Sequence, residues 1–357
     1  IYDIHPEGGI VKTEPVPKVI VEDKPVSSQG WKIASYISFV VIIGLIILNV
    51  LPRSGNKEFL EKSIAVLPFR NESSDQDNTY FINGIMESVL DNLSKIEDMR
   101  VISRNSVEQY RDNPKPTPIV AEEMNVSYII EGSGQKIGNR LLLTIQLIVG
   151  KDDYHIWSQQ YDRNIQQIED LIDIQKEIAQ LVASEIEAII TPEEKQLIEK
   201  VPTPSLTAHD FYQRGLEEHH KYWSSGTNKE ALERAEFLYY KALEYDSTYA
   251  QAYTGLAWVY WNKYYWKTYY GENFLDSALI LADIALSYDN QFAGAYIVRG
   301  AYYAVNYKYE KAINEYDKAI KFNPNSWLAY YNKASLYFHD DHVEEIYNLQ
   351  KAASLNR

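Results

Sequence analysis

Hydrophobic and polar positions follow three regimes along this chain. The first is Ile33 to Leu51, a run with no charge and almost nothing polar. At ~1.5 Å per residue it makes a helix of about 28 Å, close to the ~30 Å hydrocarbon thickness of a bilayer. A helix in a soluble core carries a polar stripe, and this run has none. A secretory signal begins with a short basic stretch and ends at a small-residue cleavage site. Here residues 1–30 precede the run, Glu7, Glu14, Glu22 and Asp23 among them, and "NVLPRSG" closes it. Residues 31–53 are therefore expected to be a single transmembrane helix, anchored through residues 33–51, with Trp31 and Tyr36 at one interface. Lys18, Lys24 and Lys32 nearly balance Arg53, Lys57 and Lys62, so the charge count leaves the orientation open. Residues 1–30 mix Pro, Gly and Ser with charges of both signs and predict a tail and linker.

The second regime, residues 60–191, predicts a compact α+β domain in the order β-α-β-α-β-β-β-α. "SIAVLPF" is a buried strand, and "RNESSDQDN" a polar loop. Phe81, Ile85, Val89 and Leu93 then recur with a helical period. "MRVIS" is a second strand, and "PIVAEEMN" a short helix. "SYIIEGSGQKIGNRLLLTIQLIV" predicts two strands turning at Gly138-Asn139, with "YHIWSQQYD" as the next strand. "IQQIEDLIDIQKEIAQLVASEIEAII" is a long amphipathic helix ending before Pro192.

Residues 192–206, with "PTPSL", are expected to be a linker. Beyond them, at 207–357, the pattern changes again, and 23 of the 30 tyrosines lie there. Ala278, Ala282, Ala285 and Asn290 recur 34 residues later as Ala312, Tyr316, Ala319 and Pro324. Tyr296, Gly300 and Tyr303 return as Tyr330, Ala334 and Tyr337, while Ala312 and Ala319 return as Ile346 and Ala353. Tyr253, Leu256, Ala257 and Tyr260, and before them Phe211, Gly215, Ala235, Tyr239 and Ala242, fit two earlier repeats, each with an insertion. A 34-residue period of small and aromatic residues is the tetratricopeptide signature, in which small residues let paired helices approach. Four such repeats make an all-α solenoid.

Composition narrows the function. A net charge of −15 over 357 residues argues against nucleic acid as a partner of this part, because phosphate binding needs a basic surface. The chain has no cysteine, which excludes disulfides, thiolate catalysis and Cys-ligated metals. Gly132, Gly134 and Gly138 resemble a phosphate loop in spacing, but they lie between strands and are expected to serve a bulge and a turn. "EEHH" at 217–220 and "HDDH" at 339–342 carry metal-ligand residue types without a third partner, and solvated helix ends explain them. Glu131 and Arg140 are expected to form a cross-strand ion pair. No nucleophile, histidine and acid fall into a catalytic arrangement, so no enzymatic activity, metal or cofactor is expected of this chain.

What remains is a surface. Tetratricopeptide arrays bind peptides on the concave face formed by the first helix of each pair. The register places Trp258, Trp261 and Asn262 there, with Tyr212, His219, His220, Ala301, Tyr331 and Phe338 from the other repeats. A protein or peptide partner is the expected ligand. Both tryptophans could instead cover the aromatic insertion "YYWKTYYGE", and the sequence leaves the two alternatives open.

The second regime also carries a resemblance. "SIAVLPF", "YFINGI", "VISR", "YIIEGS", "NRLLLTIQLI", "WSQQYDR" and "IQKEIA" occur in order over about residues 64–190. Together they resemble the TolB amino-terminal-like, or FlgO-like, domain of bacterial signalling proteins, set between a membrane span and tetratricopeptide repeats. The resemblance implies a single-pass inner-membrane protein with a cytoplasmic amino terminus and residues 54–357 in the periplasm. In such relatives the module ahead of the span is often a class III adenylate or guanylate cyclase, sometimes a DNA-binding domain. "IYDIHPEGG" resembles the closing strand of a cyclase domain, so the chain is expected to be a fragment. The role implied is non-catalytic sensing or docking coupled to that output domain, with homodimerisation as one means of coupling. The alternatives are a structural envelope scaffold without an output domain and a membrane-bound transcriptional regulator.

Overall fold

The computed structural model describes residues 60–73, 78–224, 226, 228–266, 274–337 and 342–357. The expected tail and membrane anchor, Phe338, His339 and most of the aromatic insertion lie outside these residues. Among the described residues no helix is long and apolar enough to cross a membrane. Leu60–Arg357 form one compact unit.

The unit begins with a mixed sheet. Strand β1 (Ser63–Val66) is buried at every position, as a central strand covered on both faces must be. It pairs in parallel with β3 (Arg100–Val101) on one side and β4 (Tyr128–Ile137) on the other. β4, β5 (Arg140–Val149) and β6 (Tyr154–Asn164) continue as an antiparallel meander. In β5 the buried residues alternate as Leu141, Leu143, Ile145 and Leu147. The β4–β5 turn has Gly138 at φ +57° with no positive φ at Asn139, the pattern of a II′ hairpin turn.

Three local features depart from expectation here. Arg70–Asn71 form a strand, β2, paired in parallel with β4, inside a stretch expected to be loop. Gly132 and Gly134 make no bulge, since the β4–β5 ladder runs through them in register. They make room instead: a Cβ on Gly132 would lie 2.6 Å from the Phe69 ring, and one on Gly134 2.7 Å from Ile82. The expected Glu131–Arg140 pair does not form either. Arg140 pairs across β5–β6 with Asp162 at 2.5 Å, and Thr117 Oγ1 donates to Glu131 at 3.3 Å.

Helix α1 (Thr79–Ser94) and helix α4 (Ile168–Glu185) pack on each other and on the sheet. Between them in sequence come α2 (Arg104–Val107) and α3 (Thr117–Met124). Phe81, Ile85, Val89 and Leu93 of α1 all enter the core.

The stretch 192–206 is not wholly a linker. Pro192–Glu199 is a helix, α5, started by a capping box in which Thr191 accepts from the Glu194 N–H and Glu194 from the Thr191 N–H. Glu194 also accepts from the Glu97 N–H at 2.8 Å, and Ile198 is buried in the α+β core.

Among the described residues four antiparallel helix pairs follow: α6 (Leu206–Ser224) with α7 (Lys229–Tyr245), α8 (Ala250–Tyr265) with α9 (Leu275–Tyr288), α10 (Ala293–Val305) with α11 (Tyr309–Phe322), and α12 (Trp327–Tyr337) with α13 (His342–Leu355). The small-and-aromatic logic is visible at Tyr316, whose ring lies where a Cβ on Gly300 would come within 2.5 Å. Tyr239 fills the same kind of space beside Gly215 and Gly255. In the last helix the expected register fails. Ile346 is 54 % exposed and Ala353 exposed, while Asn348, Ala352 and Leu355 are buried. These match Ala312, Tyr316 and Ala319 at a spacing of 36 residues (316 to 352), two more than the period of the preceding repeats.

Candidate functional site

The first helices α6, α8, α10 and α12 turn their common face towards the α+β domain, and the space between them stays open to solvent on one side. Between them lies a cavity of about 730 Å³. Its repeat wall comprises Leu216, His219, His220 and Trp223 of α6, Trp258 and Trp261 of α8, Ile297 and Ala301 of α10, and Trp327 and Asn332 of α12. Positions 216, 219, 220 and 223 share one helix face by their spacing. The opposite wall is Glu87, Leu90, Asp91 and Ser94 of α1, also one face, with Val101, Ser103 and Arg104 beside them.

The cavity is held together by ionic and polar contacts. Arg104 is buried and its guanidinium meets Glu87 at 3.1 Å, Glu217 of α6 at 3.1 Å and Glu108 at 3.4 Å. Burial opposes its charge, but Glu87, Glu217 and Glu108 outweigh burial and hold the group protonated. Burial raises the Glu87 carboxyl against the pull of Arg104. Asn83 of α1 donates to Glu217 at 3.2 Å and accepts from Arg111 at 2.9 Å.

The far end of the solenoid grips the same edge. Asn325 accepts from the Val101 N–H at 2.9 Å and donates to the carbonyls of Ser94 and Ile96 at 3.1 and 3.0 Å. The Ser103 N–H donates to the Leu355 carbonyl at 2.7 Å, and Ser103 Oγ to Asn356 at 2.6 Å. First and last repeats thus close a ring around α1, β3 and α2.

The structure divides the expected groove residues. Trp258, Trp261, His219, His220 and Ala301 come together on the cavity. Asn262 is 1 % exposed and supports the wall from behind, its amide 2.9 Å from His219 Nε2, while His219 Nδ1 lies 3.3 Å from Tyr239 Oη. Tyr212 is not in the groove: its ring packs between Tyr239 and Tyr249, with centroids 5.8 and 5.2 Å away. Tyr331 is 51 % exposed and stands outside the cavity lining, beside Trp327. Trp258 also packs against the clusters around Tyr296 and Ala257, so it serves both packing and cavity.

Sequence reasoning missed Trp223 and Trp327, each at the end of its helix, and the whole α+β wall. Burial lowers the His219 pKa to about 4. Burial, then Arg104, His219 and Arg111, hold His220 far below its ordinary value, and its Nε2 is buried without a hydrogen-bond partner. Both rings are therefore neutral at ordinary pH. Glu217 and Glu218 of "EEHH" are ion-paired, to Arg104 and to Lys221 and Arg234. Among the described residues no three His, Asp or Glu side chains converge on a metal position.

Residues 60–181 match the family model described as HilA/YgeH-like transcriptional regulator, second domain, and residues 308–340 match the TPR repeat model. A curated relative, "Putative adenylate cyclase 3" of Rhizobium meliloti, is 34 % identical over 152 residues. That match covers 43 % of this chain and 25 % of the relative, so the chain spans about a quarter of that protein's length. Among solved structures, the thermophilic TPR protein TTC0263 of Thermus thermophilus is similar at 15 % identity and a TM-score of 0.35, over 52 % of this chain and 83 % of that one. MamA is similar at 21 % identity and a TM-score of 0.30, over 41 % and 76 %. The chain is a mixed-sheet domain followed by a solenoid of tetratricopeptide type, a non-catalytic fold of the protein-interaction class.

Proposed function

We propose that this chain is the non-catalytic sensing and docking part of a single-pass membrane signalling protein. A protein or peptide partner engages the repeats, and Trp258 and Trp261 receive its apolar side chains. Residues 33–51 anchor the chain, with the TolB-like domain and the repeats on the periplasmic side. The docking event changes the pairing of the anchor in a homodimer, and so the activity of a cytoplasmic output domain.

The observation that carries this reading is the cavity itself. Its indoles lie on the concave face, and its other wall belongs to the domain that follows the anchor, joined through Arg104 and Glu217. A ligand there touches both parts at once. The name of the curated relative supports a nucleotide cyclase as the output domain. The match of residues 60–181 to a regulator domain favours a second reading, in which the output domain binds DNA.

A photo-cross-linking residue in place of Trp258, in membranes of the native host, tests the docking claim. The expected result is a discrete cross-linked protein, lost on Trp261→Ala and absent when the probe replaces the exposed Tyr154. Identical adducts from both positions would contradict it.

A further inference from the structure

We propose that the cavity between α1 and the repeats is a binding site for a small organic cation, of the quaternary-ammonium type, with an apolar body. The cation would take the site that the docking reading assigns to a partner's side chains, so the inference rests on that site, but small-molecule binding can be measured with no protein partner present.

Three observations carry the proposal. The cavity, at about 730 Å³, falls in the range of small-molecule sites, roughly 300–1,000 Å³. Indoles from three different helices line it: Trp223, Trp258, Trp261 and Trp327. The face of an indole carries negative charge density and attracts a cation more strongly as water is excluded. The third observation is charge. Arg104 is the sole Lys or Arg in the lining, and three carboxylates already engage it. Glu87 and Asp91 stand on the same wall. The charged side chains of the lining are thus two carboxylates and one guanidinium, the latter shared among three carboxylates.

These features select one ligand class. An anion would meet excess carboxylate and no disengaged cation of the wall. A small inorganic cation needs several converging oxygen ligands, and among the described residues no such group occurs. A weakly hydrated organic cation loses little hydration on entry, gains contact with the indoles, and meets carboxylates on the facing wall.

Calorimetry on the full chain in lipid nanodiscs tests this, with choline, its uncharged carbon isostere neohexanol, and the tert-butylacetate anion as probes. Choline should bind at least tenfold more tightly than either. Trp258→Leu/Trp261→Leu, which keeps apolar bulk but removes the π faces, should weaken choline at least tenfold. Trp258→Phe/Trp261→Phe should retain most of the affinity, and so controls for folding. Neohexanol binding as tightly as choline, no choline binding at millimolar concentration, or equal choline affinity in the Leu and Phe variants would each overturn the proposal.

Discussion

Arg104 of the α+β domain and Glu217 of the first repeat helix meet at 3.1 Å, although 113 residues separate them in the chain. The contact lies in a buried cluster where Glu87 and Glu108 share the same guanidinium. It ties the sheet domain to the first repeat, and its Arg104 side lines the cavity.

Removing Arg104 should therefore cost more than a surface ion pair does. Arg104→Met leaves three partly buried carboxylates without their shared cation, and breaking such a cluster costs about 3 kcal/mol or more. Denaturant unfolding should show that loss. Adding Glu217→Gln to Arg104→Met should recover part of it, because one uncompensated charge is gone. Strict additivity of the two substitutions would mean that the residues do not act together.

Acid should loosen the same region. Burial lowers the His219 pKa from 6.5 to about 4, and that of His209 likewise. Between those values the unfolded chain binds more protons than the folded one, so stability is full above about pH 6.5 and falls as pH drops towards 4. Each buried neutral histidine contributes a slope of up to about 1.4 kcal/mol per pH unit. Glu87, raised by burial, acts in the opposite sense and offsets part of the slope. Thermal melts from about pH 7 to about pH 5 should show the decline, and His219→Gln should flatten it. An unchanged slope in that variant would assign the effect to other groups.

The repeat packing predicts a third outcome. A Cβ on Gly300 would fall 2.5 Å from the Tyr316 ring, so Gly300→Ala should destabilise by about 1–3 kcal/mol through overpacking, despite the higher helix propensity of alanine. Gly300→Ala/Tyr316→Leu should be less destabilised than the sum of its parts. Stabilisation by Gly300→Ala alone would show that the ring moves aside freely.

Periodicity made much of the fold legible and little of its closure. Phe81, Ile85, Val89 and Leu93 mark α1 because one face enters a core. The opposite face, Glu87, Leu90, Asp91 and Ser94, looks solvated in sequence because three of its four residues are polar. It is nevertheless the wall onto which the repeats close. The helix Pro192–Glu199 has a weak apolar pattern, and it docks through Ile198 and through a Glu194 bond to the distant Glu97 N–H that no spacing encodes. The concave register put Trp258 and Trp261 on the cavity but also included Tyr212 and Tyr331, since helical spacing alone does not say which neighbour covers a face. A spacing of 36 rather than 34 residues moves burial from Ile346 and Ala353 to Asn348 and Leu355.

The proposed topology has its own test. Reporter fusions after residue 60 and after residue 357 should both report the periplasm, because no second apolar run of about 18 residues follows Leu51. A cytoplasmic signal from either fusion would remove the sensor reading.

Ring closure is the claim on which the cavity depends, and the cysteine-free sequence allows a direct measurement. Ser103 and Asn356, 2.6 Å apart between their side-chain oxygens, join the two ends of the ring. With Ser103→Cys and Asn356→Cys in one chain, a short thiol-reactive cross-linker should join them within the folded monomer. The product should migrate faster than the unlinked chain, and none should form in denaturant. Failure of the native protein to cross-link, with both thiols shown to be reactive, would mean that the repeats do not close over the α+β domain.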